Sequence, residues 1–156
     1  MSTITVEASR IIKAPPETVF NLLADYNKRQ QLLTDNFQDC AVEQGGRGAG
    51  TIFRYRFRAA RRERDYRMQV TTPQPGRELR EQDTNSSLVT TWAIRPTAQG
   101  LESDVTITTI WEGSEGIGGF FERTFAPGEL KHIYEVMLDR LALLATSGAG
   151  QPQPVG

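Results

Sequence analysis

One cysteine and one histidine occur in the 156 residues. A single thiol closes no internal disulfide, which fits a reducing compartment and makes the cytoplasm the expected location. Cys40 and His132 are also the whole supply of thiolate and imidazole, so no metal centre is expected. A Ser-His-Asp or Cys-His site would have to run through His132. Charge of one sign is lacking too: 18 Lys and Arg stand against 19 Asp and Glu, a formal net charge of −1. That balance argues against a general polyanion binder. No apolar run approaches the ~18 residues of a spanning helix, and the segment from Met1 to Glu7 has neither the basic start nor the apolar stretch of an export leader. The glycine run from Gly45 to Gly50 lacks phosphate-loop spacing and a Lys-Ser/Thr pair, and it leads into a strand instead of a helix. No cofactor is therefore expected.

What is present is an ordinary globular composition, 38% hydrophobic, at a length that suits one domain with a core of normal size. That domain is expected over 1–146. Residues 147–156, made of Gly, Pro, Gln and small side chains, are expected to form a disordered tail. Ile4, Val6, Ala8 and Ile12 share one parity, which predicts a strand over 3–13. Pro15-Pro16 stops it, and Val19, Phe20, Leu22, Leu23 and Tyr26 recur at helical spacing, predicting helices over 16–25 and 27–34. From 37 to 112 the period is two. Strands are predicted at 38–44, 51–58, 65–72, 77–84, 88–96 and 101–112, separated by Gly, Pro and Asn turns. The clearest is Thr51 to Arg58: Phe53, Tyr55 and Phe57 face one way and Arg54, Arg56 and Arg58 the other, as in a half-buried antiparallel strand. Helical spacing returns over 116–146, where Pro127-Gly128 should break the run and Leu130, Ile133, Tyr134, Met137, Leu138, Leu141 and Leu144 form an apolar stripe. An oily-faced meander of about seven strands needs a cover, and this helix is the element long enough to supply it. The expected fold class is α+β, a curved antiparallel sheet of order β-α-α-β6-α wrapped round a long C-terminal helix.

Several segments carry a resemblance. Ile12-Lys13-Ala14-Pro15-Pro16-Glu17-Thr18-Val19-Phe20, followed by Leu23-Ala24-Asp25-Tyr26, is similar to the opening of the START-like, helix-grip superfamily. The glycine-rich second hairpin fits, as do Asp83-Thr84-Asn85-Ser86-Ser87 and the closing run from Gly119 to Pro127. The chain resembles the polyketide cyclase/dehydrase and lipid-transport branch over about 3–146. It departs where many relatives have Trp-Pro; Asn27-Lys28-Arg29-Gln30 stands there instead. The resemblance implies a deep cavity between sheet and long helix that holds a hydrophobic or aromatic small molecule.

The residues on inward parities supply the cavity candidates. They are Phe53, Tyr55, Phe57, Tyr66, Met68, Trp92, Ile94 and Trp111 on the sheet, with Phe121, Phe125, Tyr134 and Met137 on the covering helix. A mostly apolar pocket with a few polar tips is the usual form of a small-molecule site; a solid core would use the same list. Arg10, Glu81 and Asp83 also fall on inward parities. Buried ions are paired, exposed at a strand end, or functional. In the functional reading, Glu81 has a raised pKa and acts as general acid or base, with Tyr55 or Tyr66 polarising a carbonyl, as a cofactor-free cyclase or dehydratase would require. Cys40 reads as a small core residue and His132 as a solvated one. The arginines from Arg54 to Arg67 invite a nucleic-acid reading, but the aromatics between them face inward; a solvated outer face and hairpin tip, partnered by acids such as Glu63 and Glu78, accounts for them. Three functions follow: a binding module for a hydrophobic small molecule, the cyclase or dehydratase, and a protein-interaction module using the arginine-rich hairpin. Gly113 to Gly119, rich in glycine, is the expected gate. The ligand's identity and the oligomeric state are not written in the sequence.

Overall fold

The computed structural model describes residues 3–59, 62–112 and 127–147. The gate at 113–119, the candidates Phe121 and Phe125, and the tail apart from Ser147 lie outside the described residues.

Strand β1 (Thr3–Ile12) leads into helix α1 (Pro16–Ala24), which opens on Pro16, a position whose missing N–H costs nothing. The second helical segment is a short 3-10 helix, Tyr26–Gln31, not an α-helix. Asp25 caps it by accepting from the Asn27 amide. Six strands follow: β2 (Phe37–Gln44), β3 (Ile52–Ala59), β4 (Arg62–Gln74), β5 (Glu78–Asp83), β6 (Val89–Thr97) and β7 (Glu102–Glu112). Helix α2 (Pro127–Thr146) ends the described chain.

The sheet has seven strands in the order β1-β7-β6-β5-β4-β3-β2, every neighbouring pair antiparallel. β2 to β7 is thus a meander, and the first strand returns to pair with the last, Ile4 opposite Trp111 and Ala8 opposite Ile107. Alternation does its work along each strand: in β7, Ser103, Val105, Ile107, Thr109 and Trp111 are buried and the residues between them are not.

Helix α2 buries Leu130, Ile133, Tyr134, Met137, Leu138 and Leu141 of the stripe its spacing predicts, and leaves Leu144 half-buried. Each such side chain contributes about 1.5–3 kcal/mol when taken fully from water. Polar ties also fix the helix against its neighbours. Asp139 pairs with Arg10 of β1, and Arg140 donates to the Leu33 carbonyl at 2.5 Å. Arg10 is therefore an ion-paired residue at the exposed margin, despite its inward parity. Ser103 donates to the buried Ala14 carbonyl at 2.7 Å and pins the end of β1 to β7.

The outer face of β3 and β4 carries the arginines in ion pairs. Arg54 and Arg67, opposite each other in register, share Glu43; Arg56 meets Asp39 and Asp65; Arg58 meets Glu63. Glu78 pairs instead with Arg80. No described helix is long and apolar enough to cross a membrane.

Candidate functional site

Strands β2, β3, β4 and β6 and helix α2 converge to make a cavity. The concave face of β3 and β4 presents Tyr55, Phe57 and Tyr66; β6 and the turn before it present Thr90 and Leu88; and the first two described turns of α2 present Leu130 and Tyr134. Phe37, at the start of β2, closes the side. Strand register explains the aromatic wall. Tyr55 stands directly opposite Tyr66, with ring centroids 5.5 Å apart, and Phe37 stands opposite Phe57 at 5.0 Å in an edge-to-face contact. Phe37 makes a second edge contact with Tyr55, also at 5.0 Å.

The cavity measures about 20 Å³. One water needs on the order of 10–15 Å³ measured this way, so a molecule of drug size enters only if wall side chains move apart. Phe37 and Tyr55 are half-buried and stand at the edge of the packed interior.

The polar equipment of the wall is a set of hydroxyls. Tyr134 contacts Thr109 at 2.5 Å, and Thr109 contacts Thr90 at 2.7 Å. Thr90 and Tyr134 both line the cavity, so a chain of three buried hydroxyls begins and ends on its surface. Burial pushes the Tyr134 hydroxyl up to about 12, although Thr109 and Thr90 partly oppose the shift. Burial likewise holds Tyr55 and Tyr66 well above the ordinary tyrosine value. At neutral pH the wall offers neutral phenols, each able to donate or accept a hydrogen bond.

A second polar cluster sits deeper. Glu81 and Asp83, predicted to point inward, are 8% and 2% exposed. Glu81 accepts from the Tyr26 hydroxyl and pairs with Arg29 at 2.9 Å. Arg29, itself 3% exposed, also donates to the Leu23 carbonyl at 2.6 Å, stacks on Tyr26 at 4.2 Å and lies 5.7 Å from the Trp92 ring. Burial, the largest single influence, pulls the Arg29 guanidinium down, and the charge and hydrogen bonds of Glu81 and Tyr26 together outweigh it, so its pKa ends above the ordinary value. Asp83 takes hydrogen bonds from the Arg67 amide at 3.2 Å and from Ser86 at 2.6 Å. The carboxylate that the sequence offers as an acid–base group is thus engaged by two partners and is not on the cavity wall.

The sequence candidates divide accordingly. Tyr55, Phe57, Tyr66 and Tyr134 come together around the cavity. Phe53, Met68, Trp92, Ile94, Trp111 and Met137 pack into the continuous core; Trp92 is 0% exposed. Phe37, Leu88, Thr90 and Leu130 are wall residues absent from the candidate set. Thr90 had a readable signal, its shared parity with Leu88 and Trp92, and Leu130 lies on the helix stripe. Arg29 had none. Arg64, grouped by sequence with the outer arginines, lies on the parity of Tyr66 and Met68 and so on the concave side, with its guanidinium carbon 5.5 Å from the Tyr66 centroid. Cys40 is half-buried, and burial with the neighbouring Asp39 raises its thiol. His132 is exposed, and the glycine run is a tight turn in which the Gly46 amide donates to Thr51 at 3.0 Å.

Comparison with known proteins agrees with this architecture. Residues 3–146 match the family described as polyketide cyclase / dehydrase and lipid transport. No functionally curated protein matches the sequence. The KanY protein, solved in solution by NMR, is 33% identical over 91% of this chain and 97% of its own, with a TM-score of 0.78. A Thermus thermophilus protein shares 21% identity over 94% of this chain and 99% of its own, at a TM-score of 0.75. Norcoclaurine synthase from Thalictrum flavum, solved in complex with dopamine and hydroxybenzaldehyde, superposes at a TM-score of 0.71 with 13% identity, over 98% of this chain and 90% of its own. The last two similarities concern the fold alone. With the family matched along its whole described length and the seven-stranded sheet closed over α2, the chain is a START-like, helix-grip member of the polyketide cyclase / dehydrase and lipid transport family.

Proposed function

We propose that this protein binds a hydrophobic or aromatic small molecule between the sheet and helix α2, without carrying out chemistry on it. The observation that carries the reading is the wall itself. Apolar rings and Leu88 and Leu130 surround three tyrosine hydroxyls and Thr90 at one place in the fold, the mixture of oily surface and few polar tips that small-molecule sites use. The family description, which couples cyclases with lipid transport, and the aromatic ligands of the norcoclaurine synthase complex point the same way. An acid–base role for Glu81 would first require its contacts with Arg29 and Tyr26 to break; binding needs no such step. The protein is taken to work in the cytoplasm, since a single cysteine suits a reducing compartment.

The test is an amide chemical-shift titration with a neutral aromatic probe, naphthamide. Saturable shifts should concentrate at Tyr55, Tyr66, Thr90 and Tyr134, and Leu88→Trp, which fills the cavity from one wall, should weaken them. Shifts scattered over the surface, or unchanged by Leu88→Trp, would overturn the reading.

A further inference from the structure

Both contacts of Glu81 fall on a single oxygen: Oε2 accepts from the Tyr26 hydroxyl and pairs with Arg29. Among the described residues Oε1 has no partner, although the residue is only 8% exposed. Strand β5 runs between β4 and β6, which both supply wall residues, and Glu81 stands opposite the wall residue Thr90. Tyr55 lines the cavity itself. Tyr26 gives its proton to Glu81 and Tyr134 is tied to Thr109, whereas no described residue takes a hydrogen bond from the Tyr55 hydroxyl. Phe53 joins the two places, its ring centroid 5.4 Å from that of Tyr26 and 5.9 Å from that of Tyr55. Burial is the chief reason that Tyr55 holds its proton, and the charge of Glu81 is the next, so the two groups feel each other although no hydrogen bond joins them. A buried phenol needs a partner for its O–H, and a buried carboxylate oxygen left unpaired is costly. A ketone serves the first need and not the second, and a carboxylate would set its charge against Glu81. A hydroxyl serves both at one oxygen.

We propose that the occupant of the cavity is a hydroxyl-bearing apolar molecule, its body among Phe37, Phe57, Leu88 and Leu130 and its hydroxyl bridging Tyr55 and Glu81. That hydroxyl accepts from Tyr55 and donates to Oε1 of Glu81. The proposal rests on the binding reading above and names the head group which that reading leaves open.

The experiment measures affinity by calorimetry for three probes of one shape: naphthylethanol, which accepts and donates; acetonaphthone, which only accepts; and isopropylnaphthalene, which does neither. In the wild type the alcohol should bind about tenfold tighter than the ketone, the worth of a hydrogen bond to a charged group, and the ketone about fivefold tighter than the hydrocarbon, the worth of a neutral one. Tyr55→Phe should bring the ketone within about twofold of the hydrocarbon, because the donor that distinguishes them is gone. Glu81→Gln should instead shrink the alcohol's lead over the ketone to about threefold or less, because an amide oxygen accepts more weakly than a carboxylate. An alcohol no tighter than the ketone in the wild type, a ketone lead that survives Tyr55→Phe, or an alcohol lead that survives Glu81→Gln undiminished overturns this proposal and leaves the binding reading intact. Failure of all three probes to bind removes both. Circular dichroism melts establish that each variant is folded. Should Glu81→Gln not fold, the order of the three probes in the wild type and in Tyr55→Phe carries the test, and an alcohol without a lead over the ketone counts against the proposal.

Discussion

Removing the charge of Glu81 leaves the Arg29 guanidinium buried without its counter-ion, because Arg29 is 3% exposed and, among the described residues, no other carboxylate lies within ion-pair distance of it. A buried pair broken on one side costs about 3–5 kcal/mol, since the remaining ion has lost its solvent and its partner together. Glu81→Gln, which keeps the size and most of the hydrogen bonding, should therefore lower the urea-unfolding free energy by roughly that amount. Arg29→Met combined with Glu81→Leu should recover part of the loss, because it removes both ions, while the Tyr26 hydroxyl and the Leu23 carbonyl lose their partners. A double variant no more stable than Glu81→Gln would show that the two residues are not coupled. The inward position of Glu81 was legible from the alternation of β5, but its partner was not. Arg29 sits in the polar run Asn27-Lys28-Arg29-Gln30, where the chain also departs from many relatives, and no apolar period marks which residue turns inward. The 3-10 winding of Tyr26–Gln31 decides it, placing Tyr26 and Arg29, three apart, on the buried side.

At the scale of elements, the β2–β3 connection depends on glycine at a position that can be tested. Gly45 has φ +72°, and a Cβ there would lie 2.9 Å from the Thr51 backbone Cα. Gly50 has φ +89° with nothing within 4 Å of its Cβ position. Gly50→Ala should carry the strain of the left-handed backbone alone, at or somewhat above ~1 kcal/mol. Gly45→Ala should cost measurably more, because backbone must also shift. Equal losses in paired thermal melts would mean that the loop relaxes freely at Gly45. This turn also holds the short helices in place: the Tyr26 amide donates to the Gly46 carbonyl and the Gly48 amide to the Ala24 carbonyl, both at 2.9 Å. The strands were readable nearly to the residue wherever apolar and polar side chains alternate, as in β3. They were less readable in β2, where Asp39 adopts φ +53° and the register slips between Gln38 and Ala41. A bulge adds a residue without any change in composition. Phe37 was missed as a wall residue for a related reason: it is one ring ahead of the polar Gln38-Asp39 pair, and only the pairing with Phe57 puts it at the cavity.

For the whole molecule, the interior has two regions with different responses. Trp92, 0% exposed between Leu79 and Ile107 in the sheet and away from the cavity wall, belongs to the packed part, so Trp92→Ala should cost ~3–5 kcal/mol and change probe affinity little. A small stability loss with a large affinity loss would move the cavity towards Trp92. The tyrosines report on both regions at once. The chain has four, and all of them have a raised pKa with burial as the first cause: Tyr26 at the start of the 3-10 helix, and Tyr55, Tyr66 and Tyr134 around the cavity. In the unfolded chain they ionise near 10, whereas in the folded chain Tyr134 does so only near 12 and the others are held well up. Above pH 10 the folded state thus binds more protons than the unfolded state, and stability must fall as pH rises. The contribution of Tyr134 is complete below pH about 10 and is lost as pH climbs through about 12. Near-ultraviolet absorbance of phenolate should accordingly stay flat through the ordinary tyrosine range, then rise for all four residues in one step that coincides with loss of the far-ultraviolet dichroism of the sheet. Gradual ionisation near pH 10 with the dichroism intact would show that water reaches the hydroxyls in the native state, and that the tyrosine end of the cavity is open without any movement of its walls.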